Sequence, residues 1–262
     1  MSSRSIISAR IQIAFFAVLV LLTMAASLSV DLSKFQERGP TRDSLAVLQG
    51  ISSPGELEGA LKQHPSDNVL QLMAKAIKVV DNTKAAINQL SARIEPAGLS
   101  KDLNFGSASL DEIGSFRRDL KTAEANAAAF LPRYAAILTS EQEQIKIAAV
   151  SSHVPKELSD QLLDGVRQRH AKMLNAISKV LTARTDYYRA YDNYVAFLSS
   201  ELGSFKVVAG QLILANQGAV ERYNAAAQAM TSAGRRVNEL ETDLKKHDQS
   251  LPEEWLRLTA AK

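Results

Sequence analysis

Two polar residues stand on a stripe that a buried helix should fill with apolar ones. From Lys156 to Leu202, steps of three and four residues carry Leu163, Val166, His170, Met173, Ile177, Val180, Arg184, Tyr187, Tyr191, Tyr194 and Leu198 along one helical face. An imidazole or a guanidinium on that face needs partners, because a polar or charged group buried alone is costly. Two outcomes are open. In one, His170 takes a hydrogen bond in the core and Arg184 lays its stem on the core while its head reaches the rim. In the other, the pair opens a polar pocket for an acidic ligand, in the way that bundle cores hold cofactors. Helical spacing puts Tyr187, Tyr191 and Tyr194 on one side, with Tyr188 beside them and Phe197 following. Tyrosines give large apolar contact with a polar handle, which suits a core layer first, a protein interface second and a ligand pocket third. His170, Arg184, Tyr187, Tyr191 and Tyr194 are therefore the candidate ligand or interface residues.

No other chemistry is marked. The four histidines, His64, His153, His170 and His247, lie far apart, and none has a second His, Asp or Glu at paired zinc-ligand helical spacing that completes a known motif. The chain has no cysteine, which removes disulfides, thiolate metal sites and cysteine catalysis. No phosphate-binding glycine loop or nucleophile elbow occurs. We therefore expect no catalytic residues, no metal, no cofactor and no enzyme activity. Lys plus Arg numbers 31 against 28 for Asp plus Glu, and a net charge of +3 gives no field that would gather nucleic acid. Glu141, Glu143 and Lys146, and the charges Arg235, Arg236, Glu239, Glu241, Lys245 and Lys246, read as solvated helix faces.

The elements that must hold these residues are long helices. Ser66 or Asp67 can cap a first one over Asn68 to Ile94, striped by Leu70, Met73, Ile77, Val80, Ile87, Leu90 and Ile94. Ser109 with Glu112 forms a capping-box pattern, and Ile113, Phe116, Leu120, Ala123, Ala127, Phe130, Tyr134 and Ile137 follow in alternating steps of three and four. Pro132 lies inside that run and predicts a bend near Ala128 or Ala129 rather than a stop. Pro155 suits the start of the helix that carries His170 and Arg184. Between 205 and 214 the chain turns β-branched and apolar around Gly210, which predicts a short extended excursion or hairpin. Asn216 can cap a last helix striped by Val220, Tyr223, Ala227, Met230, Val237, Leu240 and Leu244, ending near His247, with a short tail helix from Pro252. Short returns between such helices specify an antiparallel bundle.

Ahead of the bundle, Ile11 to Val30 is twenty residues without a formal charge, the length that crosses a hydrocarbon core. Eleven of them are Leu, Ile, Phe or Val, so insertion gains about −4 kcal/mol before end effects. Arg4 and Arg10 without acidic neighbours favour a cytoplasmic N-terminus. The expected organisation is a cytoplasmic n-region at 1–10, a transmembrane anchor or uncleaved signal at 11–30, a linker with short helices at 31–66, a helical bundle at 67–247 and a tail at 248–262. The expected fold is all-α, with an N-terminal transmembrane helix and an elongated antiparallel bundle of about four long helices. This plan resembles, in architecture, the exported half of bacterial sensors and chemoreceptor ligand domains, although no second apolar run of spanning length follows Leu214. We expect a single-pass inner-membrane protein of the bacterial envelope, its bundle in the periplasm or outside the cell. Its expected partners are the bilayer and other envelope proteins or further copies of itself, with no nucleic acid. The alternative is an extracytoplasmic, sensor-like bundle that binds a small ligand.

Overall fold

Helix boundaries in this chain are set by side chains that satisfy the orphan amides of a first turn. The computed structural model describes residues 54–100, 103–208 and 211–260, with 54, 211 and 247–260 described by backbone alone. The expected n-region, anchor and most of the linker lie outside the described residues. No helix among the described residues is long and apolar enough to cross a membrane.

The described chain is mostly helical. Helix α1 spans Pro54–Gln63, α2 Asn68–Ser91, α3 Leu110–Ser151 and α4 Lys156–Ser200. Strands β1 (Lys206–Val208) and β2 (Gln211–Ile213) follow, then α5 (Gln217–Ala260). Asp67 is the cap of α2: its Oδ1 accepts from the amides of Val69 and Leu70 at 2.9 and 3.0 Å. Asp67→Ala should destabilise the fold by about 1 kcal/mol, the usual worth of such a cap, read as a shift in the urea midpoint at unchanged slope. The capping box opens α3, with the Ser109 amide donating to Glu112 Oε2 at 2.8 Å and the Glu112 amide donating to Ser109 Oγ at 3.2 Å. Asn216 Oδ1 accepts from the Ala219 amide at 2.9 Å and opens α5. His153, at φ 51°, makes the left-handed step between α3 and α4.

Three expectations are corrected. Helix α2 ends at Ser91, because Asn126 of α3 donates to the Arg93 and Ile94 carbonyls at 2.9 and 3.2 Å and holds them in a turn. Helix α3 runs unbroken through Pro132, but its buried seam then steps from Phe130 to Tyr134 to Leu138, two successive strides of four. Leu138 is thus buried where Ile137 was expected, and Ile137 is half-buried. Helix α5 continues past His247 and through Pro252 to Ala260 in place of an end and a tail helix. A proline removes one donor, and a carbonyl that can turn to solvent tolerates the loss.

The chain divides into two compact units. The first holds residues 90–133 and 176–244. Arg117 and Glu124 of α3 meet Asp192 and Arg189 of α4, so rising numbers on one helix meet falling numbers on the other and the pair is antiparallel. Glu201 with Arg222 and Arg184 with Glu241 show the same sense for α4 and α5. Ala123 and Ala127, both buried, let the α3 backbone approach closely. Strands β1 and β2 form an antiparallel hairpin, pairing Lys206 with Ile213 and Val207 with Leu212. This is the expected excursion.

The second unit, over described residues 54–89, 134–175 and 245–260, is built on α2. One face of α2 puts Leu72 and Ala76 against Ile145, Ala148 and Ala149 of α3 and Leu162 and Val166 of α4. Another puts Val69 and Leu70 against Leu57 of α1 and Leu158 of α4. Met73 and Ile77 touch both clusters. Helix α2 therefore buries a band wider than the single stripe its spacing predicts.

Candidate functional site

Arg184 is 4% exposed and does not reach the rim. Its Nε and Nη2 donate to Glu241 Oε1 on α5 at 2.8 and 2.5 Å. Its Nη1 donates to Glu95 Oε1, in the connection after α2, at 3.1 Å and lies 3.4 Å from the Tyr188 hydroxyl. Tyr188, one turn along α4 and 2% exposed, donates its hydroxyl to Glu95 Oε1. Burial raises the Tyr188 phenol well above its ordinary value, so it stays a donor. Burial also raises the Glu95 carboxyl, against the opposing pull of the Tyr188 bond and the Arg184 charge, and the Glu241 charge adds to the rise. Three separate stretches of chain thus meet in one polar centre with two carboxylates and one guanidinium.

From that centre a row of tyrosines runs along α4. Ring centroids lie 5.7 Å apart for Tyr187 and Tyr188, 5.9 Å for Tyr187 and Tyr191, and 6.5 Å for Tyr191 and Tyr194. Tyr223 of α5 continues it 5.7 Å from Tyr194, and Phe116 of α3 meets Tyr191 edge-on at 5.5 Å. Gly234 makes room for the row: a Cβ there would sit 3.3 Å from the Tyr187 ring. Such offset and edge contacts are packing geometry. Arg117 crosses beside the row and grips Asp192, with Nε to Oδ1 at 2.7 Å and Nη2 to Oδ2 at 3.2 Å.

His170 belongs to the second unit. It is 7% exposed, and its Nε2 lies 3.5 Å from Glu141 Oε1, long for a hydrogen bond. Glu141 is 1% exposed, and its Oε2 has no hydrogen-bond partner. Tyr134, on the same seam, turns its hydroxyl toward the Met173 sulfur at 3.9 Å, and burial raises its phenol.

The structure therefore brings Arg184, Tyr187, Tyr191 and Tyr194 into one unit, where Arg184 meets Glu95 and Glu241, and places His170 in the other beside Glu141. Glu141 and Glu241, which read as solvated charges in the sequence, are buried partners. Their positions could have been found. Glu141 lies seven residues beyond Tyr134, and Glu241 four beyond Val237, so both fall on an apolar stripe. Glu95 carried no such signal, because it sits past the end of α2. Of the remaining histidines, His64 is exposed between α1 and α2, His153 forms a turn, and His247 lies outside the described side chains. No group of three or more His, Asp or Glu suited to a metal occurs among the described residues.

At the hairpin, Val207, Val208 and Ile213 are 50, 53 and 52% exposed. Strand alternation puts Val208 on the face of Lys206 and its partner Ile213, and Val207 on the opposite face with Leu212. A Cβ on Gly106 would lie 3.3 Å from Val207, so the loop before α3 backs that second face. No protein-family model, curated protein or solved structure matches the chain.

Proposed function

We propose that this chain is a single-pass, membrane-anchored protein of the bacterial envelope whose helical bundle works by binding other envelope proteins or further copies of itself. The anchor is the uncharged run Ile11 to Val30, with the N-terminus cytoplasmic and the bundle across the inner membrane. The observation that carries the interaction reading is the hairpin, where three β-branched side chains are half exposed on a two-stranded element with open edges. Val208 and Ile213 share one face, and exposed strand edges and neighbouring apolar side chains are the features through which chains recruit partners. The alternative, a sensor-like site for a small acidic ligand at Arg184, has less support. That guanidinium already holds two carboxylates, and a ligand would have to displace one of them.

The test is in-cell photocrosslinking from position 208 in the full chain, with the exposed position 243 as control, followed by membrane isolation. The expected result is recovery of the chain only with detergent and a discrete adduct from position 208 that is absent from position 243. Recovery without detergent, or identical adduct patterns from the two positions, would overturn the reading.

A further inference from the structure

We propose that Glu95, Arg184, Glu241 and Tyr188 form a proton-gated latch: it fixes the connection after α2 onto α4 and α5 while Glu95 holds a proton, and loosens it when two carboxylates compete for one guanidinium. This goes beyond the interaction reading and does not depend on it.

The geometry favours one arrangement of charge. Arg184 directs two of its three nitrogens to Glu241, whose side chain is 8% exposed, and only Nη1 to Glu95. One buried cation thus balances Glu241 and leaves Glu95 as the surplus negative charge. Solvent does little to relieve that surplus, since the Glu95 side chain is 17% exposed. Both donors to Glu95, the Tyr188 hydroxyl and Arg184 Nη1, converge on its Oε1. Oε2 is left to carry a proton, and a neutral carboxyl with a twice-bonded carbonyl oxygen fits the site. The groups that act on Glu95 are Arg184 and Tyr188 from α4 and Glu241 from α5, while α3 contributes the amide of Asn126, bound to the two preceding carbonyls, and the Asp119 carboxylate, which lies against Gly98 three residues on.

Glu95 is well placed to gate a segment. The stretch from Arg93 to Leu99 belongs to no long helix: it makes single bonds such as Ile94 to Ser91 at 3.1 Å and enters a 3-10 turn, Ala97–Ser100, through Leu99 to Pro96 at 3.0 Å. Glu95 ties it to α4 through Arg184 and Tyr188, and through Arg184 to Glu241 of α5, beside the Asn126 bonds from α3 and the buried Ile94 and Leu99 side chains. The carboxyl titrates above its ordinary value of 4.5, chiefly through burial. The folded state then holds this proton more tightly than the unfolded chain, so the latch's contribution is full below pH 4.5 and is lost as pH rises through the folded value.

The test is thermal unfolding and amide hydrogen exchange of the detergent-solubilised full chain, with Glu95→Gln and Glu241→Gln, from about pH 4 to about pH 8, which brackets carboxyl titration. Glu95→Gln is expected to melt several degrees above the wild type at the alkaline end and level with it at the acid end. The Ile94 and Leu99 amides should exchange progressively faster in the wild type than base catalysis alone requires, and not in Glu95→Gln. Glu241→Gln, which leaves one carboxylate for one guanidinium, should also lose the slope. Glu95→Gln melting below the wild type at the alkaline end would show ionised Glu95 to be a stabilising partner and overturn the latch. Parallel pH profiles for the two would do the same. If Glu95→Gln does not fold, the Glu241→Gln profile decides, with a wild-type slope counting against the proposal.

Discussion

Arg184→Met should destabilise the first unit by about 3–5 kcal/mol, the range for removing one partner of a buried ion pair. Methionine fills the space of the aliphatic stem, so the loss isolates the charge. What remains is Glu241 at 8% side-chain exposure, without the two bonds at 2.8 and 2.5 Å that hold it, and Glu95 with only Tyr188. Arg184 is itself 4% exposed, so solvent screening gives little relief. The melting temperature should fall by on the order of 10 °C for a domain of this size, followed by far-ultraviolet circular dichroism. Adding Glu241→Gln and Glu95→Gln to Arg184→Met should recover part of the loss, since the stranded charges go with them. The result also separates the two functional readings. A guanidinium kept for a ligand could be removed with stability nearly intact, and a loss below about 1 kcal/mol, no more than that of an exposed pair, would favour that reading.

Much of this fold is legible in residue spacing because long amphipathic helices repeat their signal many times. Asp67, Ser109 with Glu112, and Asn216 mark helix starts through chemistry that needs no tertiary partner, and all three caps form. Ends are harder to read. Ser91 closes α2 because Asn126, more than thirty residues later, takes the next carbonyls, and no local pattern encodes that contact. The shift of the seam from Ile137 to Leu138 follows Pro132 by a few residues, a place where strict counting loses phase.

The polar centre shows the same division. His170 and Arg184 were visible as polar interruptions of an apolar stripe, and both are buried. Their partners were hidden by treating every charge among other charges as solvated. Yet Glu141 and Glu241 share the stripe with apolar residues, and a cation on one seam calls for a carboxylate on the facing one. What spacing cannot supply is the pairing. Either histidine or arginine could have met either glutamate until the chain's division into two units assigned Glu141 to His170 and Glu241 to Arg184.

The His170 pair is the place where removing both partners should be better than removing one. His170→Leu is expected to cost about 3 kcal/mol, because it takes the imidazole from beside a buried carboxylate. Glu141 is 1% exposed, its Oε2 already lacks a partner, and its Oε1 meets the imidazole only at 3.5 Å. Glu141→Leu leaves an imidazole, which has a neutral form, and should be far milder. His170→Leu with Glu141→Leu exchanges the pair for two apolar side chains one turn from the buried Val166, Ile145 and Leu138, and buried pairs replaced in this way are often neutral or stabilising. The double variant should therefore come within about 1 kcal/mol of the wild type or exceed it, and a double-mutant cycle in urea should give a coupling of about 2 kcal/mol. Additivity within about 0.5 kcal/mol would mean that the two side chains do not sense each other. A double variant as unstable as His170→Leu alone would mean that His170 fills a shape leucine cannot. The cycle therefore distinguishes charge from packing at a buried polar pair whose geometry leaves an oxygen unanswered.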